Sequence, residues 1–386
     1  MKIVVMEVDY EKEMLDCYYV GCSPLFCGCG AGKGYSKTEK EERFSQLDAL
    51  QMNGPEEVLS RFPEKNIFLL GEMHGVKESF EIELAFLEAM AKEHTEIQIV
   101  LEFSPCKTFA LKQYIETGDE KILLNTIKNA EGSYTFSNDY VNFFQKIREF
   151  HEKGISLHLI GVDQEFTAMD IISALELLNK ERFKQEIEQI QLVQNNLSEL
   201  IYQLDSCTRK WKKILTESKE DQELKKIIGG IEDYCVAVRT ARDDRDVPMF
   251  QRFKEWVNPE LATLGIFGVY HLCKQVNPTY KNMIPYLQKT LGECLIEDEI
   301  FQERVALANM FYIDTVGMTR DGGEDEILSE IPRNEPLIDH ALKSSESTVW
   351  YQTKGLPQNL YDEPLENWCD FVMIVKYGKA ATFFNK

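Results

Sequence analysis

From residue 66 onward the chain alternates between short apolar runs and amphipathic stretches, which predicts strands separated by helices. The run NIFLLGE (66–72) is continuous and ends at glycine, as a buried strand does. Phe80, Leu84, Leu87 and Ala91 then fall at helical spacing, with Glu81, Glu83, Glu88 and Lys92 between them. The β-branched run IQIVLEF (97–103) predicts a second strand, stopped by Pro105. Helices follow over about 108–117, closed by Gly118, and over 138–152, closed by Gly154. A third strand, ISLHLIGVD (155–163), and a fourth, LATLGIFGVYH (261–271), continue the pattern, with late strands at TVWYQT (348–353) and FVMIVKYG (371–378). This alternation predicts an α/β fold: a mostly parallel central sheet with helices on both faces.

Two regions interrupt it. Residues 168–258 carry no strand signal and read as a long helical insertion, a lid or cap. Within it Ile190, Val193, Leu197, Leu200 and Leu204 step by three and four residues. That spacing predicts a seam on one long helix, of the kind found in an antiparallel helical hairpin. Gly229–Gly230 read as a break in the helical run. Residues 296–320 carry a mixed pattern with no clear element, and DGGEDE (321–326) reads as a surface turn. The first 63 residues form a cysteine-rich peripheral segment, with KIVVMEV (2–8) as an edge strand and a charged, solvated stretch at GYSKTEKEER (34–43). The return of strands after the insertion points to one interrupted α/β domain over 64–386.

Composition narrows the partners. The 386 residues carry 43 basic and 65 acidic side chains, a net charge of −22. Such a surface repels phosphate backbones and anionic lipid, so neither nucleic acid nor a membrane is expected as partner. No stretch approaches the ~20 apolar residues of a membrane span. The N-terminus has only a short apolar run before acids intervene, so no secretory signal is read and the expected location is cytoplasmic. The ten cysteines are then expected to be mostly reduced. Four of them, Cys17, Cys22, Cys27 and Cys29, cluster as C-x4-C-x4-C-x-C, looser than the C-x2-C pairs of structural zinc sites.

The chemistry gathers at strand ends. Open α/β sheets bind ligands beyond the carboxyl ends of their strands. The first strand delivers Glu72 and His74 there, the second Glu102, the third Asp163 and Gln164, and the fourth Tyr270 and His271. Glu102 or Asp163 alone reads equally well as a cap or salt-bridge partner. His74 and His271 each end a Gly-x-x-His turn, Gly71 to His74 and Gly268 to His271, in which glycine lets the backbone bend closely around a ligand. His158 is expected to pack inside strand three, and His94, His151 and His340 to lie on the surface. No G-x-S-x-G elbow, G-x-G-x-x-G fingerprint or P-loop occurs.

In order along the chain, GEMHGVKES (71–79), LEFSPCKTFALKQYIETGD (101–119), GVDQE (161–165), RDVPMFQRF (245–253) and FVMIVKYGKAAT (371–382) resemble the motifs of the erythromycin esterase-like family. The resemblance spans about residues 64–386. The family belongs to a wider superfamily with Tiki-type metalloproteases and ChaN-like haem-binding proteins. It implies His74 as general base or metal ligand, Glu72 and Glu102 as the carboxylates beside it, and His271 completing the site. The family's site arginine has no match near Glu78 or Glu102, where Lys77 and Lys107 stand.

Three readings follow. The first is a hydrolase of ester or amide bonds, acting on a small-molecule or peptide substrate through water activated by His74. Asp163, Gln164, Arg245 and Tyr270 would bind the substrate. Arg245 would hold an oxyanion, or else form a salt bridge with Asp243 or Asp246. A divalent ion (Zn, Mn or Fe) held by His74, Glu102 and His271 fits the donor types equally. The second reading is a haem- or iron-binding protein of the ChaN-like sort. The third is a catalytically silent toxin or effector domain.

Overall fold

The computed structural model describes residues 36–384 apart from 241–244, 277, 285–286, 328, 330, 332, 334 and 361–362. The expected strand at 2–8 and the four early cysteines lie outside the described residues.

In chain order the first elements are helix α1 (Lys37–Leu50), strand β1 (Gln51–Met52), α2 (Pro55–Arg61), β2 (Ile67–Glu72), α3 (Lys77–Ala91) and β3 (Glu96–Leu101). Then come α4 (Pro105–Thr117), α5 (Glu120–Lys128), α6 (Asn138–Glu152) and β4 (Ser156–Gly161). The helical middle comprises α7 (Ala168–Val193), α8 (Leu197–Lys212), α9 (Lys219–Thr240) and α10 (Asp246–Trp256). The chain continues through β5 (Ala262–Gly268), α11 (Pro278–Met283), α12 (Leu291–Glu297), β6 (Val305–Ile313), β7 (Thr315–Met318) and β8 (Glu324–Ile327). It ends with α13 (Pro336–Lys343), β9 (Thr348–Gln352), β10 (Asn359–Leu360), β11 (Glu363–Pro364) and β12 (Phe371–Lys376).

Eight strands form one sheet in the order β1-β9-β12-β6-β2-β5-β3-β4. The six from β12 to β4 run parallel, and β9 and β1 close one edge antiparallel. This is the mostly parallel α/β sheet the periodicity predicts. Burial on both faces explains why the strands read as unbroken apolar runs. In β2, Phe68 and Leu70 join one core layer, and Ile67 and Leu69 join the layer on the opposite face. The unassigned stretch 296–320 turns out to hold β6, all nine residues of which are buried at the sheet centre. The alanines and Asn309 in VALANMFYI had diluted its strand signal.

Several sequence expectations are corrected. The seam from Ile190 to Leu204 belongs to two helices, not one. The chain turns between α7 and α8, and Asn196 caps α8 by accepting the Glu199 N–H at 3.3 Å. The hairpin keeps Ile190, Leu200 and Leu204 buried across the turn, so the periodicity reads straight through it. Gly229–Gly230 do not break α9. His158 is not packed inside: β4 is an edge strand, and its side chain is exposed and paired with Glu96 at 2.8 Å. His340 is not on the surface but buried between the Tyr351 hydroxyl (2.7 Å) and Asp48 (2.9 Å).

The helical middle matters for the site because of how it docks. Cys106 and Phe109 of α4 join the apolar cluster formed by α7, α8 and α9. At the crossing, a Cβ on Gly230 would stand 2.9 Å from both Glu165 Oε1 and Pro105 Cδ. Gly230 is therefore a close-packing position, while Gly229 faces open space. Gly229→Ala should stabilise the protein by about 0.5–1 kcal/mol through helix propensity. Gly230→Ala should instead cost about 1–3 kcal/mol from overpacking. Thermal unfolding of the two variants tests this, and equal shifts would contradict the close packing.

Candidate active site

Strand β2 ends at Glu72, and the chain then turns sharply at Gly75, whose φ is +86°. A Cβ there would lie 2.6 Å from the Met318 carbonyl, so the turn requires glycine. The turn carries His74 to the wall of a cavity of about 310 Å³ beyond the strand ends. His74 Nδ1 meets Glu72 Oε1 at 2.9 Å. Its Nε2 lies 3.9 Å from Glu102 Oε2.

Glu102, from the end of β3, is the junction of the site. Its Oε2 accepts the Gly268 N–H at 2.6 Å. Its Oε1 lies 3.1 Å from Arg245 Nη2 and 3.3 Å from His271 Nε2. His271, in the 3-10 turn after β5, sends Nδ1 to Asp246 Oδ1 at 2.9 Å. Asp246 also accepts the Tyr280 hydroxyl (2.8 Å) and the Leu291 N–H (2.8 Å). Arg245 bridges Glu102 to the fully buried Asp163. A Cβ placed on Gly268 would sit 3.3 Å from Glu102 Oε2, 3.4 Å from His74 Nε2 and 3.5 Å from His271 Cδ2. Side chains nearly two hundred residues apart thus meet around one glycine.

Of the expected residues, Glu72, His74, Glu102, Asp163 and Arg245 line the cavity. His271 stands behind Glu102 and is 4% exposed. Gln164 and Tyr270, expected to touch substrate, do not line the cavity. Gln164 is buried, with its N–H held by the Asp163 carboxylate at 2.8 Å. Tyr270, on the same 3-10 turn as His271, stacks on Tyr280 at 5.6 Å. Arg245 supplies the arginine sought near Glu102, from a segment 143 residues further along. Asp246, Tyr280 and Glu83 were not singled out as site residues. Asp246 had a signal, the Arg-Asp pair of the 245–253 motif; Tyr280 and Glu83 had none.

The electrostatics separate the two histidines. Burial alone would lower the His271 pKa, but the charges of Asp246 and Glu102 and the hydrogen bonds to both outweigh it and push it up to about 10. His271 is therefore an imidazolium at neutral pH. Burial would raise Glu102, yet the charge and hydrogen bond of His271, the His74 charge and the Gly268 N–H hold it at about 2. Burial also opposes the charged form of His74, and the Glu72 hydrogen bond with the Glu102 and Glu72 charges turns the net shift upward. Glu83, buried beside Glu72, is pushed well above the usual carboxylate range by burial and then by the Glu72 charge and hydrogen bond.

Two solved structures share this architecture. A crystal structure of a Bacillus cereus protein aligns over 91% of this chain and 100% of its own, with a TM-score of 0.64 at 14% identity. A mutant of erythromycin esterase EreC in its open conformation aligns over 86% of this chain and 95% of its own, with a TM-score of 0.64 at 15% identity. The chain has an erythromycin esterase-like fold. ChaN of Campylobacter jejuni, whose structure is described as showing cofacial haem binding, aligns with a TM-score of 0.31 at 13% identity. No family's sequence profile matches the chain, and no curated protein sequence matches it.

Within this erythromycin esterase-like fold the donor set does not fit a divalent ion. Three of the roughly four lone-pair sites of Glu102 are taken by Arg245, His271 and the Gly268 N–H. The adjoining guanidinium and imidazolium repel a cation. Among the described residues no group of three or more His, Cys, Asp or Glu side chains is arranged to hold a metal. Nor is any helix among them long and apolar enough to cross a membrane.

The His271 pairing has a pH signature. Its pKa is raised from 6.5, so its stabilising contribution is whole below about pH 6.5 and is lost as pH rises toward about 10. Asp246→Asn should cost about 3–5 kcal/mol at neutral pH, because it removes one partner of a buried pair. The variant should also lose much of the wild-type fall in melting temperature between pH 7 and 10. Thermal unfolding across that range is the check. An unchanged alkaline slope in Asp246→Asn would contradict the raised His271 pKa.

Proposed function

We propose that the protein is a hydrolase of ester or amide bonds in which His74 activates water. The observation that carries this reading is the convergence of His74, Glu102 and His271 around Gly268, with His74 oriented by Glu72 at the wall of a ligand-sized cavity. With its Nδ1–H donated to Glu72, His74 keeps the Nε2 lone pair directed toward Glu102. The 3.9 Å between Nε2 and Glu102 Oε2 is longer than a direct hydrogen bond and suits a water shared by both groups. His74 would take a proton from that water as it attacks the scissile carbonyl, and then return the proton to the leaving oxygen or nitrogen.

The other groups support this step. Glu72 stabilises the imidazolium that forms. Arg245, at the cavity wall, offsets negative charge that develops on the carbonyl oxygen. His271 stays protonated and holds Glu102 as a carboxylate. The fold shared with erythromycin esterase EreC supports the hydrolase class. The cavity volume of about 310 Å³ lies at the small end of the range for ligand pockets and suits a compact substrate.

On a panel of aryl and alkyl esters, His74→Ala should lower kcat/KM by roughly 10²–10⁴-fold. Glu102→Gln should lower it as well. Because the base must be neutral, activity should rise with pH through a pKa above 6.5. Prolonged dialysis against a chelator should leave the rate unchanged. Full activity in His74→Ala, or activity lost to the chelator and restored by zinc, would overturn this mechanism.

A further inference from the structure

One wall of the cavity is aromatic. Phe103, Tyr140 and Phe144 line it, with ring centroids 5.9 Å, 6.3 Å and 6.5 Å apart in pairs. A single lysine, Lys107, stands over this wall, its Nζ 5.0 Å from the centre of the Phe103 ring. In a chain of net charge −22 a lysine inside a cleft is expected to find a carboxylate. Lys107 makes no ion pair with any described carboxylate; its one hydrogen bond goes to the neutral Thr135 Oγ1 at 3.3 Å. Asp170, on the same cavity, is near enough for the Lys107 charge to oppose the rise that burial gives its pKa, but it lies beyond ion-pair distance and accepts the Asn129 amide at 3.2 Å. Two of the three ammonium donors of Lys107 are left for a ligand.

Resting on the hydrolase reading above, we propose that the substrate is an ester or amide of an aromatic acid bearing a second, free carboxylate, with its ring on the Phe103–Tyr140–Phe144 wall and that carboxylate on Lys107. The scissile carbonyl then faces His74 on the same cavity. Phe103 and Lys107 follow Glu102 closely in sequence, so the groups that would position the substrate and the carboxylate beside the reacting centre belong to one short segment. No covalent step beyond the hydrolysis already described is needed.

The test compares mono-4-nitrophenyl terephthalate with 4-nitrophenyl benzoate, which lacks the second carboxylate. Wild type should prefer the terephthalate in kcat/KM by roughly tenfold or more, the effect of one charge-assisted hydrogen bond. Lys107→Met should abolish that preference, and Lys107→Arg should retain much of it. Binding gives an independent readout. By calorimetry 4-carbamoylbenzoate should bind wild type at least roughly tenfold more tightly than benzamide, and Lys107→Met should lose the difference. Ester turnover without discrimination, or discrimination that survives in Lys107→Met, overturns the assignment to Lys107 and leaves the hydrolase reading standing. Selective binding of 4-carbamoylbenzoate with no ester turned over does the reverse. Circular dichroism of each variant confirms folding.

Discussion

The structure around the cavity depends on keeping one buried carboxylate charged. Glu102 follows β3 at the carboxyl end of the sheet and is buried there, where an unpaired carboxylate would cost several kcal/mol in lost solvation. Three donors offset that cost: the Gly268 N–H, the Arg245 guanidinium and the His271 imidazolium. They come from the end of β5, the start of α10 and the turn that follows β5. A single side chain therefore ties two distant segments, the β5 end with its turn and the start of α10, to the end of β3. Asp246 extends the network outward by holding His271 while accepting the Leu291 N–H and the Tyr280 hydroxyl.

This network gives two histidines at the same sheet edge opposite tasks. His271 is buried between two carboxylates and stays charged, so it serves as a fixed counter-ion. His74 faces the cavity with its side chain 29% exposed, and only one of its ring nitrogens is taken by a carboxylate at hydrogen-bond distance. Titratable groups whose surroundings drive them to different protonation states are the usual sign of divided roles in an active site. Glu83, buried beside Glu72, is pushed well above the usual carboxylate range by burial and then by the Glu72 charge.

The helical middle completes the cavity. Asp170, Leu197, Tyr234 and Val238 give it a wall opposite the strand ends. That wall is pressed onto α4 at Gly230, whose missing side chain lets the helix approach Pro105 and Glu165. Two adjacent glycines look like a helix break in sequence because propensity is all that a local reading can weigh. Here the contact across the helix pair outweighs it.

Much of this was legible in the residues alone. Strand positions, the parallel sheet and the placing of Glu72, His74, Glu102, Asp163 and His271 at strand ends follow from local periodicity, because burial on both faces imposes continuous apolar runs. β6 escaped that reading because alanine and asparagine weaken such a run, and His158 was misplaced because a strand does not reveal that it lies at a sheet edge. Only the tertiary structure decided which polar groups reach the cavity, which histidine stays charged, and that Arg245, Asp246 and Tyr280 belong to the network while Tyr270 does not line the cavity. Charge and exposure at a buried site are set by neighbours far off in the chain: Arg245 meets Asp163 across 82 residues and Glu102 across 143. No local pattern encodes which distant partner will arrive.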